Sequence, residues 1–260
     1  MVAHPTSVSL TLYTDPYFRG FDNQFPDYYR YQEWARDFDA NYAESGLPAL
    51  SLVRFMHDHT GNFEDFGKFG VSTPETQVAD NDYAVGLLVQ KIALSVYANN
   101  TLIFIIEDDS QDGGDHADSH RTVAFVAGAY VKQGALVSAP YNTINFVRTI
   151  EEVLGLLPMN LNDALARPMA EIFNTTPSKW GFTPTPSAYF TCTTLAGEIP
   201  GPLKPCPQLA HTAQYWARAT KGMDFTSEDR MDFAEYNHIL WKGLMGNRPY
   251  PEKSSGLGTC

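Results

Sequence analysis

TLIFIIE, residues 101 to 107, is the stretch on which the fold turns. It has the length of a strand and is apolar without alternation, which predicts a strand buried on both faces, as at the centre of a parallel sheet. It runs straight into DDSQDGGDHADSHR, residues 108 to 121. From Glu107 to Arg121 six acidic side chains and two histidines crowd together, and carboxylates this dense must either face water or share a cation.

Working outward, LPALSLVRF (47 to 55) reads as an earlier buried strand ending at MHDHT, and TVAFVAGAYV (122 to 131) as a later one. Thr73 as cap and Pro74 in the first turn predict a helix carrying Val78, Val85, Leu88, Val89, Ile92 and Val96 on one face. Further helices are expected over 26 to 42 and over TINFVRTIEEVLGL, 143 to 156, the latter stopped near Gly155 and Pro158. Residues 174 to 210 are rich in Pro and Thr and read as a long ordered loop, and residues 211 to 243 return to helical spacing. Strand, helix, strand, strand, helix is the grammar of an α/β domain, in which ligands gather beyond the carboxyl ends of parallel strands. The expected division is an α/β unit over 1–173, with a Pro-rich and helical extension over 174–260 packed on it.

A formal net charge of −12 removes the basic surface that nucleic acid or an anionic membrane would need. No apolar run is long enough to span a bilayer. The first ten residues lack the pattern of a signal peptide, so the expectation is either a cytosolic protein or one whose leader has been removed. Cys192, Cys206 and Cys260 suit no zinc motif; Cys192 and Cys206 could pair across the Pro-rich loop in an oxidising compartment, or all three could be free thiols.

Two loops supply metal-ligand chemistry. His57, Asp58 and His59 follow the first expected strand, and Asp108, Asp109, His116 and His120 follow the second. Imidazole and carboxylate are the usual ligands of first-row metals, and two such loops at one sheet edge make a plausible site, whereas either loop alone would read as solvated. Gly113 and Gly114 would let Asp115 and His116 fold back; Asp118 could orient a ligating histidine, and Arg121 could bind an anionic substrate or neutralise the cluster. Asp80 reads as a helix cap, and His4, His211 and His238 as surface or packed residues.

The run FIIEDDSQDGGDHADSHRTVAFV resembles a bacterial phosphoesterase family of the alkaline-phosphatase superfamily, which includes phospholipase C-like and acid-phosphatase-like enzymes. HDHT (57 to 60), VADNDYAVGLLV (78 to 89), RTIEEVLGL (148 to 156) and MDFTSEDRMDFAEYNHILWKGL (223 to 244) resemble it in the same order. The resemblance implies an alkaline-phosphatase-like fold, mainly a parallel sheet flanked by helices with a Pro-rich wrap and C-terminal helices. It also implies metal binding at Asp108 and Asp109, a closing loop at Asp58 and His59, and a secreted or periplasmic location. His116 and His120 carry over less directly, and the family's late histidine is replaced by Tyr141-Asn142-Thr143.

The family's preceding half-domain, with its acidic metal loop and hydroxyl nucleophile, is not found, so the chain is expected to correspond to the carboxyl-terminal portion of such an enzyme. The expected function is therefore a metal-dependent hydrolase of phosphoesters or other esters. Its ligands are Asp58, His59, Asp108, Asp109, His116 and His120, with zinc foremost and manganese, magnesium or calcium as alternatives. A metal-bound water is the expected nucleophile, His59 or His116 the acid or base, and Arg121 the substrate anchor. The alternative is a non-catalytic metal-binding module that covers an exposed sheet edge by self-association, as a homo-oligomer.

Overall fold

The computed structural model describes residues 5, 7–63, 69–108, 122–226 and 230–251. The molecule is mostly helical, which overturns the expected alkaline-phosphatase-like α/β architecture. The sheet among the described residues has two strands, β1 (Leu102–Ile106) and β2 (Ala124–Gly128), and they run antiparallel, with Leu102 opposite Gly128 and Ile106 opposite Ala124.

Both strands lie where the sequence places them, but their partners do not. Residues 47–55, expected as a third strand, are irregular, and Leu52 is 89% exposed. An apolar run of this length reports only that apolar neighbours are available; pairing direction depends on which distant segment arrives beside it. Only part of the ribbon's apolar surface is covered, where Phe104 and Val126 pack on Phe146, Met169 and Ile172. At the end of β2, Gly128 (φ 150°) passes so close to Thr101 that a Cβ would lie 2.6 Å from its carbonyl oxygen.

The helices follow local rules. In α2 (Pro74–Ala93) the Thr73 hydroxyl accepts from the Thr76 amide, and the Thr76 side chain answers at the Thr73 amide, with Pro74 in the first turn. In α3 (Thr143–Leu154) Asn142 caps the amides of Ile144 and Asn145, and left-handed Gly155 ends the helix.

Helix α1 (Asp27–Asn41) starts after Pro26, which offers no side-chain cap, and packs along α2. Short α4 (Leu161–Leu165) follows α3, and α5 (Ala213–Ala219) and α6 (Phe233–Met245) close the chain. No helix among the described residues is long and apolar enough to cross a membrane.

The main core joins Tyr28 of α1, Ala79 and Tyr83 of α2, Phe190 and Leu195 of two 3-10 turns, Trp216 of α5 and Tyr236 of α6. It therefore draws on residues from both sides of position 173. The Pro-rich stretch is held by a Cys192–Cys206 disulfide, which resolves the choice the sequence leaves open; closing a loop of this length contributes about 3 kcal/mol.

Candidate functional site

The turn at residues 56–60 is fastened from several directions. The Asp27 carboxylate, at the start of α1, accepts the consecutive amides of Met56 (2.9 Å) and His57 (2.8 Å). It also accepts from Arg30 Nη1 (2.9 Å) and Asn81 Nδ2 (3.1 Å). Asp80, from α2, accepts the amides of Asp27 (2.6 Å) and Tyr28 (3.1 Å), and so caps α1 from the neighbouring helix. The same carboxylate meets His57 Nδ1 at 2.6 Å, while His57 Nε2 donates to the Asn23 carbonyl at 2.9 Å.

Downstream, the Asn23 amide donates to the His59 carbonyl, the Tyr236 hydroxyl donates to the Thr60 carbonyl (2.8 Å), and Gln77 bonds both the amide and the carbonyl of Gly61. Gly61 is required because a Cβ there would meet the Phe225 ring at 2.4 Å.

Asp27, Arg30, His57 and Asp80 are all buried. Arg30, at 0% exposure, spends its remaining N–H groups on the carbonyls of Arg19, Gly20, Asp22 and Phe25. Burial pushes the Asp80 carboxyl up, and the hydrogen bond and charge of His57 pull it back. With three N–H groups directed at its oxygens, the proton shared by the pair belongs on the imidazole. For His57, burial alone would strip that proton, but the hydrogen bond to Asp80 and the charges of Asp27 and Asp80 outweigh it and raise the pKa above the ordinary histidine value. Two carboxylates thus balance a guanidinium and an imidazolium.

The pH dependence follows. Because the folded-state pKa of His57 is raised, its contribution is complete below about pH 6.5 and is lost as pH rises through the folded value. Thermal melts across that range are expected to fall on the alkaline side, more steeply for the native chain than for His57→Gln. Equal slopes would assign the loss to other groups.

Ligand-type atoms of Asp27, His57 and Asp80 lie within 4.8 Å of one another, a spacing a metal ion could bridge. Their chemistry does not fit one: both imidazole nitrogens carry protons, and seven N–H donors already engage the two carboxylates. The trio is an internal salt-bridge network.

Asp58 differs. Its neighbours Met56, His57, His59 and Thr60 are buried, and Asp58 is exposed. Loss of solvation on its protein side, with the negative charges of Asp27 and Glu107 adding, nevertheless raises its carboxyl to about 6, although the amides of Asp58 and His59 pull the other way. Solvent on its open side screens that penalty, so no stability cost is attached to it. His59 lies below the surface, edge-on to Phe21 (5.5 Å) and near Phe233 (6.3 Å).

At the end of β1, Glu107 accepts from Thr122, and Asp108, 69% exposed, stands 4.0 Å from Arg54 on the approach to the turn. The charge of Glu107 thus reaches Asp58, and Asp108 approaches Arg54, four residues before Asp58. Asp109, His116, His120 and Arg121 lie outside the described residues, as do Gly113, Gly114, Asp115 and Asp118.

Asp27 carries no role in the sequence reading, and Asp80 is assigned there only to its own helix. The one local sign for Asp27 is Arg30 three residues on, after Pro26. His211, half-buried, stacks on Tyr215, and His238, exposed, stacks on Tyr250. No protein-family model, curated protein or solved structure matches the chain.

Proposed function

We propose that the chain is a metal-dependent hydrolase of phosphoester type, working at the pole where the Asp58 turn meets the carboxyl end of β1. The carrying observation is that Arg54, on the approach to the turn, reaches Asp108 at 4.0 Å, while desolvation, with smaller additions from the charges of Asp27 and Glu107, raises the Asp58 carboxyl to about 6. Neighbouring acidic groups are what a divalent cation relieves, which supports the choice of one. Zinc suits mixed carboxylate and imidazole donors; manganese, magnesium and calcium are the alternatives. When bound, such an ion lowers the pKa of water toward neutrality and neutralises charge on the transferring group.

The chain's own part is to supply Asp58 and Asp108 as donors, with Asp109, His116 and His120 following in the adjoining acidic segment. His59 or His116 moves the proton, and Arg121 binds the anionic ester. The blocks resembling bacterial phosphoesterases support the choice of ester. The Cys192–Cys206 disulfide accords with a secreted or periplasmic setting.

Zinc titration by calorimetry and hydrolysis of an aryl phosphate test the reading. Asp58→Ala is expected to weaken both while leaving the melting temperature nearly unchanged. A native chain that neither binds Zn2+ nor hydrolyses the ester overturns it.

One observation favours a second reading, a self-associating module without catalysis. Among the described residues the β ribbon pairs only with itself, and Phe125 of β2 (62% exposed) and Val123 just before it present apolar surface. A dimer in sedimentation, combined with no Zn2+ binding, is the result that reading requires.

A further inference from the structure

We infer that Asp27, Asp80 and His57 are positioning residues that hold the Asp58–His59 turn through its backbone, so that Asp58 is presented outward in one fixed direction. The inference rests on the hydrolase reading for its purpose and on the buried network for its geometry.

Stability alone does not call for such a network. Burying four charged groups incurs a desolvation penalty that their mutual attraction barely repays, and apolar replacements of similar volume are often neutral or better. Directional bonds are what apolar packing could not supply. Asp27 grips the two amides immediately before Asp58, and His57 spans from Asp80 to the Asn23 carbonyl. Asn23 then returns to the His59 carbonyl, while Tyr236 and Gln77 secure Thr60 and Gly61. Bonds therefore bracket Asp58 on both sides, and Asp58 is the exposed residue between buried neighbours at 56, 57, 59 and 60. Groups that orient a ligand in this way are commonly as important to metal affinity as the ligands themselves.

The test compares Asp80→Asn with Ile172→Ala, a variant destabilised by packing loss in the second core cluster. Two quantities are read in each: amide hydrogen exchange over residues 56–60 and the affinity for Zn2+. Asp80→Asn is expected to speed exchange in the turn about tenfold and to weaken Zn2+ binding about 10–100-fold. Ile172→Ala should leave both near native values.

Native-like exchange and affinity in Asp80→Asn would overturn the inference, as would equal changes in Ile172→Ala. If Asp80→Asn does not fold, Asn81→Ala decides: it removes one donor to Asp27, keeps all four charges, and should move both readouts in the same direction by a smaller factor. Should the native chain bind no Zn2+, the hydrolase reading falls, and the exchange comparison alone decides whether these residues position the turn.

Discussion

Asp80→Ala is expected to lower the unfolding free energy by about 3–5 kcal/mol, the range for removing one member of a buried, hydrogen-bonded ion set. The loss has two sources. Without the carboxylate, Arg30 and His57 face only Asp27, so a net positive charge is left where water cannot reach it. In addition, the amides of Asp27 and Tyr28 lose the acceptor that caps α1, and Pro26 has no side-chain acceptor to replace it. Urea unfolding measures the change. A cycle with His57→Ala should show the two substitutions to be strongly non-additive, because each removes the reason for the other's charge. A loss below about 1 kcal/mol would mean that the four charges do not act as a set.

The opposite signature is expected from Asp108→Ala combined with Asp109→Ala. Asp108 is largely in water, and its pairing with Arg54 at 4.0 Å is of the exposed kind that contributes about 0–1 kcal/mol. Stability should therefore change little. On the proposed reading, bound Zn2+ by elemental analysis and aryl phosphate turnover should both fall to background. Unchanged metal content in the double variant would remove Asp108 and Asp109 from the site. Loss of metal and turnover at unchanged stability would instead divide the acids of this molecule into two classes, buried ones that hold the fold and exposed ones that hold a cation.

Much of the secondary structure is legible because its signals lie within a few residues of where they act. Thr73, Pro74 and Thr76 announce the start of α2, Asn142 and Gly155 bracket α3, and the apolar runs of β1 and β2 form strands. The outward half of the candidate site is legible only as composition: Asp58, His59 and Asp108 stand out as ligand types in two polar turns. The inward half is not. Asp27 and Asp80 are ordinary in sequence, His57 is marked there only by its place in a histidine-rich turn, and their bonds join positions 23 to 53 residues apart.

By itself, then, the chain's sequence determined where α2 and α3 begin and stop and that residues 102–106 and 124–128 extend, since capping and periodicity act over a single turn of backbone. Tertiary structure alone decided that β1 pairs antiparallel with β2, that residues 47–55 join no ladder, and that His57 turns inward as a cation while Asp58 faces out. Those outcomes depend on which distant donors and acceptors meet once water is excluded, and no local pattern records that.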